Sequence, residues 1–249
     1  MDLQTEMEKC DEQLLRLVLE CPRTTPKEML YLELGVTPIR YIIMSRRIMF
    51  YHYILNENKE SLIYKFYKVQ AKKPVKNDWS LTVKNNLEEL EISLTEDEIE
   101  NLSTYSFQKI VKPAIQKAAF SYLNNLKNDH TKVLHIPYEK LEIQDYLLPS
   151  SVSAEAAKFA FLCRSRMVQV GETFKQGRNS TVCPLCKNDS ESDSQQHLMK
   201  CVKLNQNDVV DEYIPAYDDL FSRNLEKKRI IVEILRKKLK ERKKILDQT

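Results

Sequence analysis

Apolar positions recur every three or four residues along most of this chain, the period of a helix with one buried face. Thr25-Pro26-Lys27-Glu28 offers a capping box with proline at the first helical position, and Gly35 can close that helix in the left-handed conformation. Thr37-Pro38 opens a second helix, with Ile42, Ile43, Arg46, Phe50 and Ile54 at helical spacing and a basic face of Arg40, Arg46 and Arg47. In 60–72 the apolar row is Leu62, Phe66 and Val69. Pro74 to Asp78 reads as a linker, and Trp79 to Leu90 as another helix. Thr95-Glu96-Asp97-Glu98 is a further start, its acids suited to the positive end of the helix dipole. Residues 105–126 carry Phe107, Ile110, Ile115, Ala118, Ala119 and Leu123 at helical spacing, with Pro113 a point of kinking or breaking. Lys132 to Ile136 is the one short strand the pattern suggests. Ser153-Ala154-Glu155 opens a helix ending in Cys163-Arg164-Ser165-Arg166. Beyond it, 176–194 is polar and irregular, a helix is expected around 206–221, and a basic amphipathic helix runs from about 223 to 245.

The expected fold is therefore mainly α: a helical body, a small cysteine/histidine island and a basic C-terminal helix. Composition sharpens this. The chain has 3 glycines in 249 residues and neither GxGxxG nor a P-loop, which excludes the glycine-dependent phosphate cradles. No apolar run approaches the roughly 18 residues of a membrane helix, so no spanning segment is expected. The start MDLQTEMEKCDEQ has no basic end followed by an apolar stretch, so no secretory signal is expected, and the location expected is nuclear or cytoplasmic. The net charge is +3, yet residues 223–246 hold eleven Lys/Arg against three Asp/Glu. A near-neutral total thus conceals a basic segment suited to phosphates. Its apolar stripe, Ile231, Leu235, Leu239 and Ile245/Leu246, also suits a coiled coil or a partner helix.

The strongest chemical signal is Cys183-Pro184-Leu185-Cys186, ten residues, then His197-Leu198-Met199-Lys200-Cys201, that is C-x2-C-x10-H-x3-C. The first pair suits a tight knuckle. His197 and Cys201, four apart, share a helix face. Three thiolates and an imidazole in two pairs complete a tetrahedron for one structural Zn²⁺ with no open position for water. The spacer KNDSESDSQQ has no apolar residue, so order there is expected to come from the ion, and the metal-free island is expected to be disordered. Six cysteines this scattered do not make a disulfide framework.

Competing readings are weaker. CPLC as a redox dithiol lacks the preceding apolar strand. Ala216-Tyr217-Asp218-Asp219-Leu220 resembles a polymerase aspartate pair, but the aromatic residue stands one place too late and no strand pair flanks it. A nuclease set of Asp218, Glu226 and Lys228 lacks strands to hold it. His52, among Phe50, Tyr51 and Tyr53, reads as a core or interface residue, and His130 and His135 have no acid/base partner at useful spacing. No nucleophile signature accompanies them.

TTPKEMLYLELGVTPIRYIIMSRRIMFYHYIL resembles the segment after the polymerase core, the thumb and connector, of non-LTR retrotransposon reverse transcriptases; the likeness covers about residues 10–72. AFLCRSRMVQVGETFK followed by CPLC…HLMKC resembles the zinc-knuckle region near the C-terminus of the same proteins, and 75–160 fits their connecting region more loosely. The implied divisions are thumb/connector-like helices (1–72), a helical connecting region (73–175), the CCHC knuckle (176–204) and a helical basic tail (205–249). The resemblance implies the C-terminal portion of a polyprotein that copies RNA into DNA at a nicked target. The catalytic fingers and palm have no counterpart here, so no polymerase activity is expected. The knuckle spacing also departs from the retroviral C-x2-C-x4-H-x4-C form.

The expected function is nucleic-acid binding, to RNA or DNA mainly through phosphates, by the knuckle, by Arg164, Arg166 and Arg178 beside it, and by Lys237, Lys238, Arg242, Lys243 and Lys244 of the tail. The alternative is a domesticated, zinc-stabilised protein-interaction scaffold that offers its C-terminal amphipathic helix to a protein partner. Neither reading involves a membrane.

Overall fold

The computed structural model describes residues 3–72, 75, 78–129, 133, 136–148, 151–171, 182–188, 191–204 and 216–247. Among these, the chain is almost wholly helical: α1 (Leu3–Leu19), α2 (Lys27–Leu34), α3 (Ile39–Leu55), α4 (Leu62–Lys72), α5 (Trp79–Glu89), α6 (Glu96–Asn101), α7 (Thr104–Asn128), α8 (Ala154–Arg164), α9 (Gln195–Lys200) and α10 (Leu225–Asp247). Short 3-10 turns occupy Asp145–Leu147 and Tyr217–Phe221. The extended pairings among the described residues are two isolated bridges, Leu34 with Ile143 and Val182 with Ser192. The chain forms two compact units, each drawn from three separate stretches.

The first unit holds Met1–Gln13, Gly35–Leu126 and Glu139–Leu141. Its core gathers Tyr41, Met44, Ile48, Tyr51 and Leu55 of α3, Tyr67 of α4, Val83 and Leu87 of α5, Ile99 of α6, and Phe107, Val111, Ile115 and Ala119 of α7. The boundaries follow the local signals. Pro38 precedes α3, and the Thr95 side chain accepts the Glu98 N–H while Glu98 accepts the Thr95 N–H, a complete capping box. Pro113 lies within α7 without ending it.

The faces differ from the expectation. On α3 the inward row is 41, 44, 48, 51 and 55, joined by the expected Ile54, whereas Ile42 and Phe50 are exposed. On α4 the expected core row Leu62, Phe66 and Val69 is exposed, at 75, 64 and 70 %. The helix docks through Tyr67, whose hydroxyl donates to Glu96 and lies 3.3 Å from the Tyr51 hydroxyl, and whose ring meets that of Trp79 edge-on. Amphipathic tyrosines thus displaced aliphatic residues as anchors, because a phenol can bury its ring while pairing its hydroxyl. His52 is a core residue, its Nε2 2.9 Å from the Leu102 carbonyl and its ring stacked on Phe107.

The second unit holds Leu14–Leu34, Lys127–Tyr138 and Glu142–Thr249. α2 is buried almost throughout, and Gly35 follows it at φ 64, the left-handed stop expected from the sequence. Ser153 caps α8 through the Ala156 N–H at 3.3 Å. Val133 stands in a turn, with the Ile136 N–H bonded to its carbonyl, not in a strand; the rest of the expected strand lies outside the described residues, apart from Ile136 itself. Of the helix expected around 206–221, Tyr217–Phe221 is a 3-10 turn and Ala216 precedes it; residues 206–215 lie outside the described residues. α10 is an integral part of this unit, not a detached tail: Ile231 and Leu235 are fully buried and it packs on α8, α9 and the Tyr217–Phe221 turn.

Candidate metal centre and basic surface

Two local structures bring four ligand atoms together. The first is the knuckle. The Lys187 N–H closes on the Cys183 carbonyl at 3.0 Å, with Lys187 at φ 53, so the chain reverses directly after Cys186. The second is α9, where Ser194 caps the helix by accepting the His197 N–H at 3.0 Å and Cys201 follows the last turn. The two are joined by the Val182–Ser192 bridge and by the Cys183 N–H donating to the Glu191 carbonyl at 3.3 Å.

The result is that Cys183, Cys186, His197 and Cys201 place one donor atom each within 4.8 Å of one another, and can hold a metal ion. Cys183 Sγ lies 3.9 Å from Cys201 Sγ, and Cys186 Sγ 3.4 Å from His197 Nε2. Cys183 and Cys201 are fully buried. Burial pushes the Cys183 thiol up to about 11, opposed by the backbone N–H groups of Cys186 and Leu185 that point at its sulfur. His197 Nδ1 faces Glu191 Oε2 at 3.2 Å, which leaves Nε2 turned toward the thiols.

Cys10, Cys21 and Cys163 stand apart from this cluster. Burial raises the Cys163 thiol far above its ordinary range, which makes it inert. Leu198 is fully buried and supplies the small core beneath α9.

The polar spacer contains anchors that the sequence pattern concealed. Asp193 is 1 % exposed; its Oδ2 accepts the Gly171 N–H at 2.7 Å and Arg242 Nη2 at 2.5 Å. Gln195 is also buried, its amide donating to the Cys163 carbonyl at 2.9 Å and to the Tyr217 hydroxyl at 3.0 Å. Order in this segment thus has a protein source besides any ion. The one local clue was the Ser194-to-His197 spacing of an N-cap.

The basic residues divide sharply. Arg164, expected on a nucleic-acid surface, is 1 % exposed. It pairs with Glu33, donates to the Leu220 carbonyl at 2.7 Å and lies over the Tyr146 and Phe221 rings. The Tyr146 and Tyr138 hydroxyls complete the shell around Glu33. Lys238 and Arg242 are buried as well, Lys238 bonding the Leu204 carbonyl at 3.3 Å. Lys237, Lys243 and Lys244 are exposed, as is Lys240, which the expectation passed over. Arg166 is half-buried at φ 53, and Arg178 lies outside the described residues, as do His130 and His135. Asp219 pairs with Lys227 at 3.2 Å and Lys228 with Asp145 at 2.6 Å, so neither joins a carboxylate cluster. Of the apolar stripe of α10, Ile231 and Leu235 are fully buried, Leu239 and Leu246 are half-buried and Ile245 is exposed.

The chain matches no family model, no curated protein and no solved structure. No described helix is long and apolar enough to cross a membrane.

Proposed function

We propose that the protein is a zinc-stabilised nucleic-acid-binding module that corresponds to the C-terminal portion of a non-LTR retrotransposon reverse transcriptase. The zinc assignment is supported by geometry. Donors about 2.3 Å (sulfur) and 2.0–2.1 Å (nitrogen) from a tetrahedral centre stand about 3.8 Å apart for S···S and about 3.6 Å for S···N. The separations of 3.9 and 3.4 Å agree with that figure. A closed Cys3His set makes the ion structural.

The observation that carries the binding function is the two-sidedness of α10. Lys238 and Arg242 turn inward to the metal-binding segment, while Lys237, Lys240, Lys243 and Lys244 of the same turns face solvent. One rigid helix thus presents four cations next to the metal module. No aromatic residue lies between the knuckle cysteines, so stacking there is weak and the binding reads phosphate more than base. The reading assigns a binding function and no catalytic residue.

The test is fluorescence anisotropy with labelled single- and double-stranded RNA and DNA from 50 to 200 mM salt. Four phosphate contacts on duplex DNA give a loss of affinity on the order of a hundredfold across that range. Replacing Lys237, Lys240, Lys243 and Lys244 with Gln should weaken binding and flatten the slope. Unchanged affinity in that variant would reject the surface.

A further inference from the structure

α10 grips the metal-binding segment at two points, one on each side of the His197–Cys201 pair. Upstream, Arg242 meets Asp193 at 2.5 Å, with the side chains 10 % and 1 % exposed. Downstream, Lys238 donates to the Leu204 carbonyl at 3.3 Å, and the Leu204 N–H closes on the Cys201 carbonyl at 3.0 Å. Asp193 directly precedes Ser194, the cap whose hydroxyl receives the His197 N–H. Its position therefore sets where the helix bearing the histidine begins. Gly171 is moulded to the same carboxylate: a Cβ there would stand 2.8 Å from Asp193 Oδ2. A carboxylate and a guanidinium this far from water are tolerated only together, since either alone is an uncompensated buried charge.

We propose that Asp193 and Arg242 are positioning residues for the metal, and that metal loading and the seating of the last turns of α10 stabilise one another. This rests on the metal reading above. An ion fixes Cys183, Cys186, His197 and Cys201 relative to one another. Asp193 lies four residues before His197 and Leu204 three after Cys201, so the ion fixes them too. They in turn hold Arg242 and Lys238. Linkage makes the relation reciprocal: whatever stability the ion gives to the seating of α10, the seated helix returns as metal affinity. The exposed lysines ride on the same turns, so the metal-loaded form is the one that presents them as a fixed array.

The test uses the full chain with Co²⁺ as a spectroscopic probe and Zn²⁺ for exchange. Arg242→Ala and Asp193→Asn should each weaken cobalt binding by about 10–100-fold and alter its d–d bands, as loss of an outer-shell support does. Arg242→Lys should recover part of the loss, and the exposed control Lys117→Ala, in the first unit, should show none. In the unmutated protein, amide hydrogen exchange over Arg236–Leu246 should quicken when zinc is chelated. The coupling is overturned if the protein binds cobalt tetrahedrally but both variants bind it equally well and chelation leaves that exchange unchanged. Failure of the unmutated protein to bind cobalt at all would instead reject the metal reading, and the coupling with it.

Discussion

Glu33 and Arg164, 131 positions apart in the chain, meet in a buried ion pair with the guanidinium Nε 3.0 and 3.1 Å from the two carboxylate oxygens. Two tyrosine hydroxyls donate to the same carboxylate, and Arg164 Nη1 donates to the Leu220 carbonyl. Breaking such a pair leaves one charge stranded, at a cost of about 3–5 kcal/mol. Arg164→Ala and Glu33→Leu should therefore each lower the urea midpoint strongly. The double variant Arg164→Met/Glu33→Leu should cost much less than the two single changes added together. Additive losses would mean that the residues do not depend on one another.

Elemental analysis of purified protein should find about one zinc per chain. Cys183→Ser should lose it. Cys10→Ser, Cys21→Ser and Cys163→Ser should keep it, because none of those thiols belongs to the cluster. Zinc retained by a Cys183→Ser/Cys201→Ser double variant would reject the ligand set.

Gly171→Ala adds a methyl group 2.8 Å from Asp193 Oδ2, where the carboxylate is held on its other side by Arg242. Neither partner can retreat without loosening the pair, so the change should cost about 1–3 kcal/mol in thermal unfolding. It should also weaken metal binding. Gly35→Ala, at φ 64, is strained by its own backbone, costing about 1 kcal/mol, and should leave metal affinity alone. Equal effects of the two changes on metal affinity would count against the Gly171–Asp193 contact.

Glu96 supplies a pH dependence. Burial alone would raise its carboxyl, but hydrogen bonds from Lys68, at 2.7 Å, and from Tyr67 outweigh it and hold the group below its ordinary range. A depressed folded-state value stabilises the protein fully above the unfolded glutamate value near about 4.3, and the contribution disappears as pH falls through the folded value. The side chain is 42 % exposed, so solvent screening limits the contribution to roughly 1 kcal/mol or less. Glu96→Gln should accordingly lower the urea midpoint at pH 7, and the deficit should shrink progressively as pH falls below about 4.3. A constant difference across that range would refute the assignment.

Helix positions were mostly legible where a local device sets them, although the buried hydroxyl of Thr25, expected to cap α2, makes no hydrogen bond to that helix. Pro38, the Thr95 capping box, Gly35 and Ser153 act within a few residues, and the helices start or stop where they stand. Helix faces were less legible. Helical spacing of wholly apolar residues pointed to Leu62, Phe66 and Val69, whereas burial went to Tyr67, whose hydroxyl has partners in α3 and α6. The ligand quartet could be read directly, because tetrahedral chemistry constrains spacing. Its supports could not. Asp193, Gln195, Lys238 and Arg242 look like solvated residues in sequence, and only the fold reveals the distant partners they bond. Arg164 misled for the same reason: a lone arginine beside a knuckle looks like a phosphate contact until Glu33 is seen opposite it.

The discontinuous make-up of the second unit bears on how the chain is made. α2 carries Met29, Leu30 and Leu32, all fully buried, yet it is synthesised ahead of its partners. Its partners Tyr138, Tyr146 and Arg164 emerge 105 to 131 positions later than Glu33, and α10 later still. At typical elongation speeds of about 5–20 residues per second, α2 waits many seconds on the ribosome with its apolar side uncovered. A ribosome stalled before α8 emerges would hold a chain that cannot yet bury Glu33 against its cation.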